Sequence, residues 1–282
     1  MKKQPAIKAP LQVLILGCGD YFGRLRYHTS FVVLAGALRV LVDCPEPLRK
    51  IMSEASRKSG LDLDVDQLDH VLLTHLHGDH CGGVEGLGYY RHYVCRNSTR
   101  PHVYALPEVL PDLWNHRLYA SMGRSRDAVT GKLTTRKLEN YFQPHAVSPG
   151  KRYKIGSLGF EIRRTLHSIP CYAVKFQYAG VSLGYSCDTI YDPDLIGWLS
   201  DCDLIIHETS TGPHTPYEKL SALPSGLRRK MLLVHLGDNF DMKKSNILPA
   251  RQGAIYTVTP GKSAREMWQI GKKGKRPSPR AR

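Results

Sequence analysis

The sequence predicts an α+β protein in which two β-sheets lie between two layers of helices, an αββα sandwich of four layers. Short apolar runs bounded by glycine and proline recur in both halves of the chain and are typical of strands. In each half, segments of helical composition follow these runs, as expected when helices pack outside a sheet. The 282 residues suffice for one large core.

The first half is predicted to begin with three strands and a helix. Residues 47–59 have helical composition, with proline at the start, where it is tolerated, and Gly60 at the end. We expect a single domain over residues 1–260. The apolar runs that predict its first strands are 11–16, 29–34 and 39–43.

Residues 88–141 are predicted to be an insertion in this domain. They combine nine Lys and Arg with several tyrosines and a tryptophan. Such a mixture can hold single-stranded nucleic acid by charge and stacking. A pair of amphipathic helices that covers the edge of a sheet explains the same residues without a ligand, and this interpretation is favoured.

The second half is predicted to form the other sheet. Alternating residues over 172–178 and the apolar run 181–186 flank Ala179 and Gly180, and together they predict a hairpin. Further predicted strands are 160–166, 203–207 and 231–235, and the predicted helices are 193–199 and 216–223.

The chain is strongly basic, since 40 Lys and Arg against 25 Asp and Glu give a formal net charge of +15. A basic protein attracts polyanions through counterion release and long-range attraction, although a solvated basic surface needs no partner. The C-terminal tail, residues 261–282, is basic and is expected to be disordered.

The cysteines and the hydropathy bear on the compartment. Seven widely spaced cysteines without a C-x-x-C pair are not a disulfide framework and fit a reducing compartment. No apolar run reaches the roughly 18 residues of a membrane-spanning helix, and none has the features of a signal peptide. We expect a cytoplasmic protein without a membrane partner, and a homodimer is compatible with this composition.

Four candidate metal ligands stand within six residues, directly after the apolar run Val71-Leu72-Leu73. His75 and His77 are two apart, so in an extended backbone they project to the same side. Gly78 then allows a sharp turn that can return Asp79 and His80 to the same point. Neutral imidazoles with a carboxylate suit zinc, and less often manganese or iron.

This stretch resembles a known family. His75-Leu76-His77-Gly78-Asp79-His80 matches the H-x-H-x-D-H signature of the metallo-β-lactamase superfamily, and the preceding Thr74 extends the likeness to the ribonuclease Z and phosphodiesterase branch. The resemblance implies the metallo-β-lactamase fold and a site for two divalent ions, with zinc expected first and manganese or iron as alternatives. Two such ions about 3.5–4 Å apart can bind both oxygens of an in-line displacement.

The resemblance also implies which residues bind each ion. Besides the signature, the matching positions are His167, Asp188 and His235, and each follows a predicted strand. Asp79 would both bind metal and accept the proton of the attacking water. The implied ligands of one ion are His75, His77 and His167, and those of the other are Asp79, His80 and His235, with Asp188 bridging.

A proton donor is implied by the C-terminal half. His207-Glu208-Thr209 resembles the His-Glu-Ala-Thr segment of ribonuclease Z, and His214 with Glu218 resembles its His-Ser-Thr-x-x-Glu segment. In that family the histidine protonates the leaving oxygen and the glutamate orients it. These roles are carried to His214 and Glu208, because a departing alkoxide needs a proton.

Other positions refine the predicted site and the predicted reaction. Asp43, in a segment that resembles Asp-Cys-Gly-Glu of ribonuclease Z, is expected to hydrogen-bond near the site and orient ligands. His77 stands where ferrous redox members of the superfamily carry glutamate, which favours hydrolysis. Residues 235–240 depart from the His-x-Ser-x-Arg-Tyr motif of ribonuclease Z, which favours a related phosphodiesterase over transfer-RNA processing.

The sequence therefore predicts a metal-dependent hydrolase that cleaves a phosphodiester in RNA or in a smaller nucleotide-like ester. Two alternatives remain open. One is a thioester, lactone or β-lactam hydrolase with the same metal site, which would not need His214. The other is a nucleic-acid-binding or interaction protein with a structural metal site, which would bind without turnover.

Overall fold

The computed structural model describes residues 9–95 and 99–269, and two β-sheets packed face to face lie at its centre. Within these residues the first sheet has eight strands, namely β1 (Leu11–Gly17), β2 (Ser30–Ala35), β3 (Leu38–Val42), β4 (His70–Leu72), β5 (His102–Ala105), β8 (Gln143–Ala146), β16 (Ile255–Thr257) and β17 (Trp268–Gln269). Numbered along the chain, they lie in the order β17-β16-β1-β2-β3-β4-β5-β8.

The second sheet and a small hairpin account for the other described strands. The second sheet consists of β9 (Arg152–Ile155), β10 (Leu158–Arg164), β11 (Tyr172–Tyr178), β12 (Val181–Tyr185), β13 (Leu204–Glu208), β14 (Met231–Val234) and β15 (Leu248–Pro249). They lie in the order β15-β14-β13-β12-β11-β10-β9. The hairpin pairs β6 (Arg124–Arg126) with β7 (Leu133–Thr135).

The α-helices are α1 (Leu48–Ser59), α2 (Gly78–Cys81), α3 (Val84–Tyr89), α4 (Val109–Asp112), α5 (Tyr119–Met122), α6 (Pro193–Leu199), α7 (Tyr217–Ser221), α8 (Ser225–Arg228) and α9 (Ala264–Met267). Some of them belong to longer helical stretches, because the π-helical Tyr90–Val94 continues α3 and the π-helical Leu113–Leu118 joins α4 to α5. No helix formed by residues 9–95 and 99–269 has both the length and the apolar character needed to cross a bilayer.

The packing of β13 shows how the layers are arranged. Leu204 and Ile206 lie in the main core, whereas Ile205 between them lies in a smaller core together with Leu195 and Leu199 of α6. Successive side chains of a strand point to opposite faces of a sheet. The main core therefore lies between the sheets, and the smaller core lies under the outer helices, so the predicted αββα arrangement is confirmed.

Three features differ from the sequence-based expectations. Strand β5 of the first sheet falls inside the predicted insertion, 88–141, so this segment is more than a cover of helices. Strands β15, β16 and β17 follow the last predicted strand. Within the predicted tail, 261–282, α9 and β17 are ordered because Ser263 caps α9 and Met267 is buried; residues 270–282 lie outside the described residues.

The site lies where parallel strands of both sheets end. β12, β13 and β14 run parallel, as do β3, β4 and β5. Carboxyl ends of parallel strands meet at one edge of a sheet, where ligands commonly bind. Asp43 follows β3, Asp188 comes three residues after β12, and His235 follows β14.

Candidate metal centre

The segment after β4 carries four of the predicted ligands. His75 and His77 stand outside helices, and the Nε2 atom of His75 lies 3.1 Å from the Nδ1 atom of His77. The backbone N–H groups of His80 and Cys81 donate to the carbonyl of His77 as α2 begins. The sharp turn expected at Gly78 is thus the first turn of a helix, which brings Asp79 and His80 back to the site.

Three histidines form the first group of donors. His167, from the loop after β10, places its Nε2 atom 3.0 Å from the Nδ1 atom of His77, which also faces His75. The Oδ2 atom of Asp188 lies 3.7 Å from Nε2 of His75 and 4.0 Å from Nε2 of His167. Three ring nitrogens and one carboxylate oxygen thus converge on one point.

The second group shares Asp188 with the first. The Nε2 atom of His80 lies 3.3 Å from Oδ2 of Asp79 and 3.4 Å from Oδ1 of Asp188. The Nε2 atom of His235 lies 3.3 Å from Oδ2 of Asp79 and 3.4 Å from Oδ2 of Asp188. All seven sequence-predicted ligands therefore come together, and Asp188 lies between the two groups, where it was expected to bridge.

The donors of these groups fit a divalent cation. Among the described residues, the buried Nε2 atom of His80 and the Oδ1 atom of Asp188 have no hydrogen-bond partner, although both point into the cluster. Burial lowers the pKa of His75 well below its usual value and that of His167 to about 4, so both imidazoles are neutral, the form that binds metal. The cluster binds divalent metal.

Charge is balanced differently in the second group. Burial alone would lower the pKa of His235, but Asp188 and Asp79 outweigh burial and raise it to about 9. For Asp79 the effects run the other way: burial favours a higher pKa, but His80 and His235 lower it well below the usual range. Asp79 is therefore ionised, as a ligand or proton acceptor must be.

Asp43 holds His80 from outside the cluster. Its Oδ2 atom lies 2.7 Å from Nδ1 of His80, and its Oδ1 atom accepts hydrogen bonds from the backbone N–H and the hydroxyl of Thr74, at 2.9 and 2.8 Å. Because an ionised carboxylate only accepts, the Nδ1 atom of His80 carries a proton, and Nε2 is the atom that His80 offers to the cluster. Burial alone would lower the pKa of His80, but Asp188, Asp43 and Asp79 raise it well above its usual value, so a metal ion bound there would displace a proton from Nε2. Asp43 thus occupies the orienting position predicted for it.

His235 depends on a residue far away in the sequence. It adopts a left-handed conformation, with φ of 58°. Its backbone N–H donates to the hydroxyl of Thr29 at 2.9 Å, and that hydroxyl donates to the carbonyl of Gly19 at 3.0 Å. The segment between β1 and β2 therefore fixes the bend at the end of β14 that turns the imidazole toward Asp79.

Of the neighbouring cysteines, Cys187 lies close enough to His75 and His80 to complete a donor group, but its position and its pKa disfavour metal binding. The Sγ atom of Cys187 lies 3.7 Å from Nδ1 of His75, the ring nitrogen on the side away from the cluster. Burial raises the pKa of Cys187 well above its usual value and that of Cys81 to about 11, so both stay protonated. Both pack as small buried side chains.

The predicted acid pair adjoins the second group. Nδ1 of His214 lies 3.2 Å from Oε1 of the fully buried Glu208, which also accepts hydrogen bonds from the backbone N–H groups of Thr189 and Thr215. The ring of His214 lies 4.6 Å from that of His235, measured between centroids. A histidine oriented by a buried carboxylate therefore stands beside the ligand cluster.

Sequence reasoning missed the aromatic side of the site. The rings of Tyr21 and His28 stack at 6.1 Å, and a Cβ atom on Gly78 would lie 3.3 Å from the hydroxyl of Tyr21. Burial lowers the pKa of His28, which also lies close enough to Asp79 to interact with its charge. The available signal in the sequence was His28, a histidine that directly precedes the predicted strand 29–34.

Comparisons with known proteins agree with this geometry. The sequence profile of the family described as anti-Pycsar protein Apyc1 matches residues 11–261. The anti-Pycsar protein Apyc1 of Paenibacillus sp. (strain J14) is 28% identical over 261 residues, which are 88% of this chain and 99% of that protein. The cAMP/cGMP-dependent 3′,5′-cAMP/cGMP phosphodiesterase B of Dictyostelium discoideum is 28% identical over 264 residues, 86% of this chain but 22% of that protein.

Among solved structures, the metallo-β-lactamase fold protein YhfI from Bacillus subtilis has a TM-score of 0.68 at 16% identity, covering 88% of this chain and 99% of that chain. At this identity the likeness concerns the fold. The metallo-β-lactamase fold predicted from the sequence is therefore confirmed.

Proposed function

Because this chain belongs to the family of the anti-Pycsar protein Apyc1, we propose that it hydrolyses the phosphodiester of a 3′,5′-cyclic nucleotide. One relative is named as a cyclic nucleotide phosphodiesterase, and the broader prediction of a metal-dependent phosphodiester hydrolase is confirmed. The observation that carries the narrower proposal is the pair of His214 and Glu208 beside the ligand cluster. A sugar alkoxide is a poor leaving group unless it is protonated as it departs.

The proposal includes two zinc-class ions. The support is the division of the donors into two groups that share Asp188, with neutral imidazoles in the first group. Manganese or iron would accept the same donors. Two such ions supply Lewis acidity to the phosphate and a nucleophile at neutral pH.

The protein side chains then have separate tasks. Glu208 accepts a hydrogen bond from the Nδ1–H group of His214, so Nε2 is the atom that gives a proton to the leaving oxygen. Asp79, which is ionised, binds metal and accepts the proton of the attacking water. Asp43 and Thr74 only orient His80 and have no contact with the reacting atoms in this scheme.

The experiment that tests the proposal compares leaving groups. The variant His214→Ala is expected to lose about 10²–10⁴-fold in turnover of 3′,5′-cyclic nucleotides, the usual contribution of a general acid or base. A nitrophenyl phosphodiester should lose far less, because nitrophenolate leaves without a proton. His116→Ala is the matched control, since that histidine is exposed and lies outside the cluster. An equal loss on both esters would contradict the role of His214.

The same assay separates the alternatives. Asp79→Ala should abolish turnover, as should removal of metal by a chelator. A thioester and a chromogenic lactam test the other hydrolase classes, and an RNA oligomer tests a longer polyanion, which the net charge of +15 would attract. Turnover of the thioester or lactam alone, with no phosphodiester cleaved, would overturn the proposed function.

A further inference from the structure

A two-stranded ribbon within the segment 88–141 takes no part in the metal centre, and we call its residues 123–137 the basic ribbon. It contains β6 and β7, and residues 126–135 are all exposed. Its sequence holds five Lys and Arg but a single acid, Asp127. The carboxylate of Asp127 accepts hydrogen bonds from two backbone N–H groups of the turn. The basic ribbon therefore presents an excess of positive charge to solvent and adds almost nothing to the core.

Two arginines lie on one face of the basic ribbon. Arg124 and Arg126 are two apart in β6, so their side chains point to the same side, with Cα atoms about 7 Å apart. The opposite face carries Arg136, whose Nε atom donates to the hydroxyl of Ser125 at 2.7 Å. The side chain of Arg124 makes no hydrogen bond or ion pair with any described residue, and Arg126 donates from one nitrogen to the carbonyl of Gly131. A guanidinium has five N–H donors, so both arginines keep donors for a ligand.

An exposed aromatic ring stands at the foot of the basic ribbon. The side chain of Tyr119 is 42% exposed. A Cβ atom on Gly123 would lie 2.6 Å from Cδ2 of this ring, so the ring lies directly beside the first residue of the ribbon. The ring of Trp114 packs against it, with centroids 6.0 Å apart and planes at 79°. An aromatic face held beside arginines is the combination that binds single strands, because bases stack on the ring while cations attract the backbone.

We propose that the basic ribbon, together with Tyr119, binds single-stranded nucleic acid. Arg124 and Arg126 would contact phosphates, and one base would stack on Tyr119. The net charge of +15 adds long-range attraction for the same ligand. The exposed Val129 at the tip would also suit an anionic membrane, but the ring at the opposite end of the ribbon favours a base. The proposal does not depend on the reaction at the metal cluster.

Binding of an oligomer tests the two contributions separately. Full-length, metal-loaded protein is titrated with a fluorescein-labelled oligodeoxythymidylate of about 20 nucleotides, longer than one usual single-strand site, and anisotropy is followed between about 50 and 200 mM salt. Replacing Arg124 and Arg126 together by Ala should weaken binding and reduce the slope of log K against log salt by about 1.4, since each phosphate contact contributes about 0.7.

The stacking contribution has its own variants. Tyr119→Ala should weaken binding by roughly 5- to 150-fold, the usual contribution of one stacked base, without changing the salt slope. Tyr119→Phe keeps the aromatic face and should bind like the unaltered protein. If Tyr119→Phe bound as weakly as Tyr119→Ala, or if neither differed from the unaltered protein, stacking on this ring would be refuted.

A matched control separates the ribbon from net charge. Replacing Lys151 and Lys154 together by Ala removes the same charge from exposed positions at β9 of the second sheet, and should leave the salt slope unchanged. Equal effects of the two double variants would overturn the proposal, as would binding to phosphatidylserine vesicles without binding to the oligomer. The variants of Arg124, Arg126 and Tyr119 should cleave cyclic nucleotides as the unaltered protein does. If that protein binds the oligomer through the ribbon but cleaves no cyclic nucleotide, this proposal stands and the proposed function fails.

Discussion

Replacing Asp43 by asparagine would test how the cluster is held. The carboxylate of Asp43 faces three donors: the backbone N–H and hydroxyl of Thr74 and the Nδ1–H of His80. An amide offers one acceptor oxygen and one NH₂ group that only donates. Asn at this position cannot accept hydrogen bonds from both Thr74 and Nδ1 of His80 at the same time.

Either orientation of the new amide has a cost. If its oxygen stays toward Thr74, the NH₂ group faces Nδ1 of His80 and forces the proton to Nε2, which then points at the cluster instead of a lone pair. Loss of such an orienting partner typically costs 10–100-fold in metal affinity. If the amide turns over, a buried donor of Thr74 is left unsatisfied, at a cost of about 1–3 kcal/mol in the free energy of unfolding.

The assay is competition for zinc against a chelating indicator, together with urea unfolding of the metal-free protein. Asp203→Asn is the matched control. Its carboxylate accepts the backbone N–H and hydroxyl of Ser182 on one oxygen, which an amide oxygen can replace. If Asp43→Asn bound zinc as tightly and unfolded at the same urea concentration as this control, the reasoning about the tautomer of His80 would be refuted.

Two further predictions concern stability. A Cβ atom on Gly83 would lie 2.4 Å from the carbonyl oxygen of Pro45, so Gly83→Ala should destabilise the protein by about 1–3 kcal/mol. Gly86→Ala, in open space within α3, should be neutral or stabilising, and equal thermal unfolding of the two variants would contradict the steric argument. Arg91→Lys should cost about 1–3 kcal/mol for each acceptor left unpaired, measured by urea unfolding; unchanged unfolding would mean that the lysine satisfies the same acceptors. The guanidinium of Arg91 donates to the carbonyls of Val65, Asp66, Leu68 and Thr99 and to the carboxylate of Asp69.

The ligand cluster was predictable because its chemistry is concentrated in the sequence. His75 to His80 are neighbours along the chain, and a strand with one helical turn brings them together. His167, Asp188 and His235 were found because each follows a strand and matches a known motif. Residue type, spacing along the chain and position at the ends of strands were therefore enough to predict most of the site.

Contacts between segments that are distant along the chain could not be predicted in the same way. Thr29 holds the backbone of His235 across 206 residues, and a hydroxyl of this kind has no distinguishing neighbours. β5 has only four residues, including His102 and Tyr104, and its aromatic surroundings are typical of a helix pair as well. Short strands carry too little periodicity to be told from loops.

The pairing of β1 with β16 has a consequence for synthesis of the protein. The side chain of Gln12 donates to the hydroxyl of Thr257, 245 residues later, in a strand pair that closes one side of β1. On the ribosome, a nascent chain therefore holds an apolar strand with one open edge until β16 emerges, and such edges can pair with other chains. Residues 255–257 must therefore be synthesised before both edges of the first strand are paired.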